Sequence, residues 1–161
     1  MPAMTGQFFF TTVAGLALSV AGFASLVTAL RSEGRWSRTS LWRLRAIVGE
    51  SLTMTVVAVL PLPVYYAVGG DEATTIRIIS GLLALKFVLA VTGVLRGGWE
   101  WGRRYVIQAV VLLGIQVVLQ VVNLWLGSLP LLMFGFIWWL TFPIQLLYRV
   151  IRDFQPPIDG D

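Results

Sequence analysis

Long apolar stretches alternate with short polar ones along this chain, with a repeat far too long for a half-buried β-strand. Mostly apolar runs cover about 8–30, 46–68, 74–95 and 105–126, and a fifth, shorter run covers about 130–149. A helix of about 20 such residues crosses the ~30 Å of bilayer hydrocarbon. Each run therefore predicts one membrane-spanning helix. The fourth and fifth are kept apart by "LGSLP" at 126–130, because Gly, Ser and Pro end one helix and start another. Gly69 and Gly70 close the second span, and Asp71 is placed to cap the third helix. The expected fold is all-α, an integral membrane bundle of five transmembrane helices forming a single domain over 1–161.

The polar segments test that count and orient it. "RSEGRWSRTSLWRLR" holds Arg31, Arg35, Arg38, Arg43 and Arg45; "RGGWEWGRR" holds Arg96, Arg103 and Arg104; Arg149 and Arg152 follow the last run. With five spans these ten arginines share one side, and the opposite side has Arg77 alone. A four-span chain would split them. Positive charge concentrates on the cytoplasmic side, which places the N-terminus outside and the C-terminus in the cytoplasm. The plasma (cytoplasmic) membrane is the expected location. Trp36, Trp42, Trp99, Trp101, Tyr105 and Tyr148 sit near the cytoplasmic boundary, and Tyr65, Tyr66 and Trp125 near the outer one, as amphipathic rings at headgroup level should. Trp138 and Trp139 fall mid-span, where packing on a neighbour or lipid accounts for them. "TALRSEGRW" and "GVLRGGWEW" echo each other faintly, the pattern a duplicated two-helix unit would leave.

Composition narrows the chemistry. The chain is 57% hydrophobic and 12% charged, against about 45–50% apolar and ~25% charged in soluble domains. Cysteine and histidine are both absent. That removes disulfides and thiol catalysis, zinc held by Cys or His, and histidine-ligated haem. No cofactor and no metal site are expected. "MPAMTGQFFFTTVAGLALSV" lacks a basic segment ahead of its apolar stretch, so it reads as a retained first span rather than a cleaved signal. The net charge of +4 comes from arginines beside apolar runs. Anionic lipid headgroups suit that placement, and nucleic acid does not. Arg35, Arg38, Arg43, Arg45, Arg103 and Arg104, with Trp36 and Trp42, are the expected headgroup contacts. The tail "RDFQPPIDGD" is too poor in apolar residues to pack and is expected to be a flexible end.

Three groups of residues remain that topology does not explain. Ala14, Ala17, Ala21, Ser25 and Thr28 form a small-residue stripe on the first span. Such stripes let helix backbones approach closely; packing inside the monomer is preferred here to a homo-oligomer contact. Gln108, Gln116, Gln120 and Asn123 fall within an arc of about 120° on the fourth span. Carboxamides facing lipid would be costly, so this arc is expected to point inward or at a partner. Interhelical hydrogen bonding is the simpler reading, and the wall of a hydrated path the sharper one. Lys86 is the sole lysine and lies within "LLALKFVLAV". A charge at the bilayer centre costs about 2.5–3.5 kcal/mol on insertion scales and should find a counter-charge. Glu50, the carboxylate expected within a span, lies roughly 8 Å away along the bilayer normal, within joint reach of the two side chains. A structural pair is preferred to a proton or ion relay, and a Schiff-base lysine lacks any supporting motif.

Catalysis is not expected. Glu50 alone cannot form a paired-acid site. Ser80 and Thr92, candidate nucleophiles for Lys86, each lie six residues from it and off its helix face. The sequence therefore points to a non-catalytic structural or accessory membrane subunit, alone, as a homo-oligomer or within a larger membrane complex. The alternative is a small transporter or channel using the carboxamide arc and a Lys86–Glu50 site.

Overall fold

The computed structural model describes residues 3–30, 38–97 and 103–152. Among them every regular element is a helix: α1 (Gln7–Leu30), α2 (Arg38–Val59), α3 (Pro61–Ala67), α4 (Glu72–Gly97), α5 (Arg103–Leu126) and α6 (Leu129–Arg152). Five segments of the described residues are long and apolar enough to cross a membrane, and α2 with α3 supplies one of them, Leu41–Ala67. The helices thus have the composition of a multi-pass membrane protein.

The second span departs from the sequence reading in two ways. The second helix starts at Arg38 rather than near residue 46, so all of "RTSLWRLR" belongs to the first turns of α2 instead of a loop. The same span breaks at Leu60, whose backbone stays helical (φ −55, ψ −33) while Pro61 opens α3. Proline has no N–H to give the preceding turn. The ladder resumes where the Val64 N–H donates to the Leu60 carbonyl at 3.2 Å. α3 then ends in a Schellman arrangement. The Gly70 N–H reaches the Tyr65 carbonyl at 2.9 Å and the Gly69 N–H the Tyr66 carbonyl at 3.2 Å. Gly69 sits at φ 74, a left-handed conformation that glycine adopts without a side-chain clash.

Asp71 starts α4 as expected. Its Oδ1 accepts from the backbone N–H groups of Ala73 (3.0 Å) and Thr74 (3.2 Å), and its Oδ2 accepts from the Thr74 hydroxyl (2.6 Å). These bonds, the Thr74 hydroxyl foremost, hold the Asp71 carboxyl below the usual carboxylate range.

The described chain divides into two compact units. One comprises Leu60–Gly135 with the N-terminal residues up to Gln7; the other comprises Phe8–Val59 and the chain from Phe136 onward. In the first, α4 packs along α5 and α3 packs on α4. Ile76, Ile79, Leu83 and Phe87, spaced by three and four, are the buried stripe of α4. In the second, α1 buries Phe10, Val13, Ala14, Ala17, Ala21 and Ala24. Through Ala24 it joins a cluster of Ala24, Leu44, Ile47, Leu146 and Val150 drawn from α1, α2 and α6. Phe10 meets Phe136 edge to face with centroids 5.7 Å apart.

The small-residue stripe of α1 is therefore partly as expected. Ala14, Ala17 and Ala21 pack inside the chain, and the Thr55 hydroxyl lies 3.4 Å from the Ala14 carbonyl. Ser25 and Thr28 leave the stripe and are exposed, with Ala24 taking the buried position. Ser25 falls at the edge of the buried arc, whereas Thr28, four residues after Ala24, keeps its angular register, so rotation alone does not account for its exposure. Hydroxyls on the apolar surface satisfy themselves within their own helix. Ser19 donates to the Gly15 carbonyl and Thr53 to the Gly49 carbonyl, each at 2.8 Å. In lipid no water is available for that role.

Candidate functional site

α5 is turned inside out relative to a soluble helix. Within its apolar window only 17% of residues are buried, yet Gln116, Gln120 and Asn123 are all fully buried. Leu112, Ile115, Val118 and Val122 take the exposed face. Such a helix would be unstable in water and suits a lipid surround.

Asn123 is the most completely bonded of the three. Its Nδ2 donates to the Ser80 hydroxyl at 2.8 Å and to the Ser128 carbonyl at 3.0 Å, and its Oδ1 accepts from the Ser128 N–H at 2.7 Å. Ser128 immediately precedes α6, and its carbonyl also accepts the Leu132 N–H at 3.2 Å. Gly127, at φ 60, closes α5 by donating to the Asn123 carbonyl at 2.8 Å. One side chain thus joins α4, the end of α5 and the start of α6.

One turn away, Gln120 Nε2 donates to the Leu131 carbonyl at 3.1 Å. It can do so because position 135 is glycine. A Cβ on Gly135 would overlap Gln120 Nε2 and lie 3.2 Å from Leu83 Cδ1. Gln120 Oε1 and both polar atoms of Gln116 are buried without a protein hydrogen-bond partner among the described residues. Gln108 does not join this group. It is exposed, only five residues into α5, where the chain is close to its arginine-rich end and polarity costs little.

In the same unit, the Thr5 N–H donates to Glu72 Oε1 at 2.7 Å. Arg77 Nη2 donates to the Trp125 carbonyl at 3.4 Å. Arg77 is thereby placed over the end of α5.

Glu50 lies in the second unit, half-buried on α2, and its Oε2 accepts the Trp139 indole N–H at 2.8 Å. Trp139 is buried, and this bond gives a mid-span tryptophan a polar role that packing alone did not suggest. Lys86 is half-buried on α4 and belongs to the first unit. Among the expected headgroup contacts, Trp42, Arg45, Arg103 and Arg104 are exposed and Arg43 is half-buried. Arg38 is on the first turn of α2, and Arg35 and Trp36 lie outside the described residues, as does the C-terminal tail. Among the described residues no three metal-ligating side chains converge.

Sequence reading missed Ser128 and Gly135, gave Trp139 a packing role alone, and weighed Ser80 only as a nucleophile, which its spacing from Lys86 argued against. The signal for Gly135 was slight, one glycine in an apolar run. For Ser128 it was the serine ahead of α6, which marks a helix start but not its partner. Comparison with family models, with curated proteins and with solved structures finds no match to this chain.

Proposed function

We propose that this chain is a non-catalytic accessory protein of the cytoplasmic membrane, acting through helix–helix and lipid contacts, as a homo-oligomer or in a larger complex. Its N-terminus is outside and its C-terminus cytoplasmic, because ten arginines then share the cytoplasmic side. The observation that carries the accessory reading is the use made of Asn123. Its buried carboxamide is spent on Ser80 and Ser128, fastening helix ends together and offering nothing to a solute. Polar groups that satisfy one another across helices are glue, typically worth under ~1 kcal/mol per contact.

Reconstitution tests this reading. The purified chain in proteoliposomes should pass neither protons nor small ions above the level of empty vesicles, and Lys86→Met should change stability or assembly only. A flux abolished by Lys86→Met while the helices persist would overturn it. Orientation is checked separately. The chain has no cysteine, so Ala3→Cys and Arg152→Cys can each be labelled from one side with an impermeant maleimide. Only Ala3→Cys should react from outside.

One observation favours the second reading, a small transporter or channel. Gln116 and the Gln120 oxygen are buried polar groups without protein partners among the described residues. Such groups cost about 1–3 kcal/mol each unless something polar meets them. A hydrated path along α5 would supply that. Under this reading Gln116→Leu abolishes a flux; under the accessory reading it leaves the chain inert and more stable.

A further inference from the structure

A groove of about 590 Å³ in the second unit is lined by Ser25 and Thr28 of α1 and by Leu41, Leu44, Arg45 and Val48 of α2. Gly49 extends it, since a Cβ there would meet nothing within 4 Å. The lining separates into three chemistries. Leu41, Leu44, Val48 and the bare Gly49 form an apolar track. Ser25 and Thr28 have spent their hydroxyl protons on the Ala21 and Ala24 carbonyls, both at 2.9 Å, so they can only accept. Arg45 is exposed and lies one turn inside the apolar segment Leu41–Ala67.

A guanidinium at that depth is costly without an anion, and its long stem can bring the charge outward to headgroup level. Phosphate matches its planar fork. The hydroxyl oxygens repel phosphate rather than bind it, so recognition of the anion falls on Arg45. We propose that this groove holds one anionic phospholipid, with its phosphate on Arg45 and an acyl chain along Leu44, Val48 and Gly49. The groove is open and lined by Leu41, Leu44 and Val48 beside Arg45, and a soluble anion would leave that apolar track empty. The site deepens the headgroup contacts of the proposed function and rests on that reading only in placing this end of α1 and α2 at headgroup level.

Native mass spectrometry of the full chain in mild detergent tests the site. Titration with phosphatidylglycerol or phosphatidylcholine makes no reference to sidedness, so a wrong orientation would leave this result unchanged. One tightly retained phosphatidylglycerol is expected, preferred about tenfold over phosphatidylcholine, which has the same phosphate but whose choline cation cancels the net charge and is repelled by the Arg45 guanidinium. Arg45→Gln should abolish the preference. Arg45→Lys, which keeps the charge but not the fork, should fall between the two and guards against a folding defect. Thr28→Val and Arg104→Gln should retain the preference within about twofold, the latter reporting on diffuse charge. Equal retention of both lipids, an unaffected Arg45→Gln, or an equal loss in Arg104→Gln would each overturn the proposal.

Discussion

Asn123→Ala removes one carboxamide and three hydrogen bonds, those of 2.8 and 3.0 Å donated by Nδ2 and that of 2.7 Å accepted by Oδ1. Interhelical hydrogen bonds inside membranes average about 0.6 kcal/mol and reach about 1.7, so three together are worth about 2 kcal/mol. The Ser128 N–H, at a half-buried position, is then left without its acceptor, which adds about 1 kcal/mol where water does not replace it. The expected loss is about 2–3 kcal/mol. Reversible unfolding in mixed micelles of rising denaturing-detergent content measures it directly. Combining the change with Ser80→Ala in a double-mutant cycle should give a coupling of about 0.6 kcal/mol, since one of the three bonds runs between those side chains. A loss below about 0.5 kcal/mol for Asn123→Ala, or zero coupling, would refute the view that this carboxamide fastens α4, α5 and α6.

Three further changes probe other parts of the molecule. Gly135→Ala forces a methyl onto Gln120 Nε2 and breaks its bond to the Leu131 carbonyl, at a cost of about 1–3 kcal/mol in the same unfolding assay. Trp139→Phe removes the indole N–H from Glu50, and a loss of about 1–2 kcal/mol is expected; Glu50→Gln, which keeps an acceptor, should cost less. Asp71→Asn probes the cap of α4 through pH. The carboxyl is held low in the folded chain, so its charged form stabilises the cap above the unfolded value of about 3.9, and this is lost as pH falls through the lower folded value. Melting temperatures of wild type and Asp71→Asn should therefore differ near pH 5 and converge towards pH 2.

The number of candidate spans was legible because it depends on a quantity that survives without tertiary detail, the length of apolar runs. Local stops were legible too: Gly69, Gly70 and Asp71 carry their geometry in their own chemistry. The start of α2 was not, since hydropathy marks where an apolar run begins, whereas the helix itself begins earlier, at Arg38. The carboxamide arc shows the same division within one motif. Helical periodicity put Gln108 in register with Gln116, Gln120 and Asn123, but angle says nothing of depth, and Gln108 is exposed near the start of α5. The partners were harder still. Ser80 and Ser128 are 43 and 5 residues from Asn123, and only the packing of three helices selects them from the other hydroxyls of the chain.

Gly135 has a consequence for how this sequence can drift. The room that Gln120 occupies is the room a side chain at 135 would need. Neither position is free to vary by itself: alanine at 135 requires a shorter residue at 120, and a shorter residue at 120 removes the reason for glycine at 135. The two behave as a single heritable unit spread over two helices. In a set of related chains they should change together or not at all.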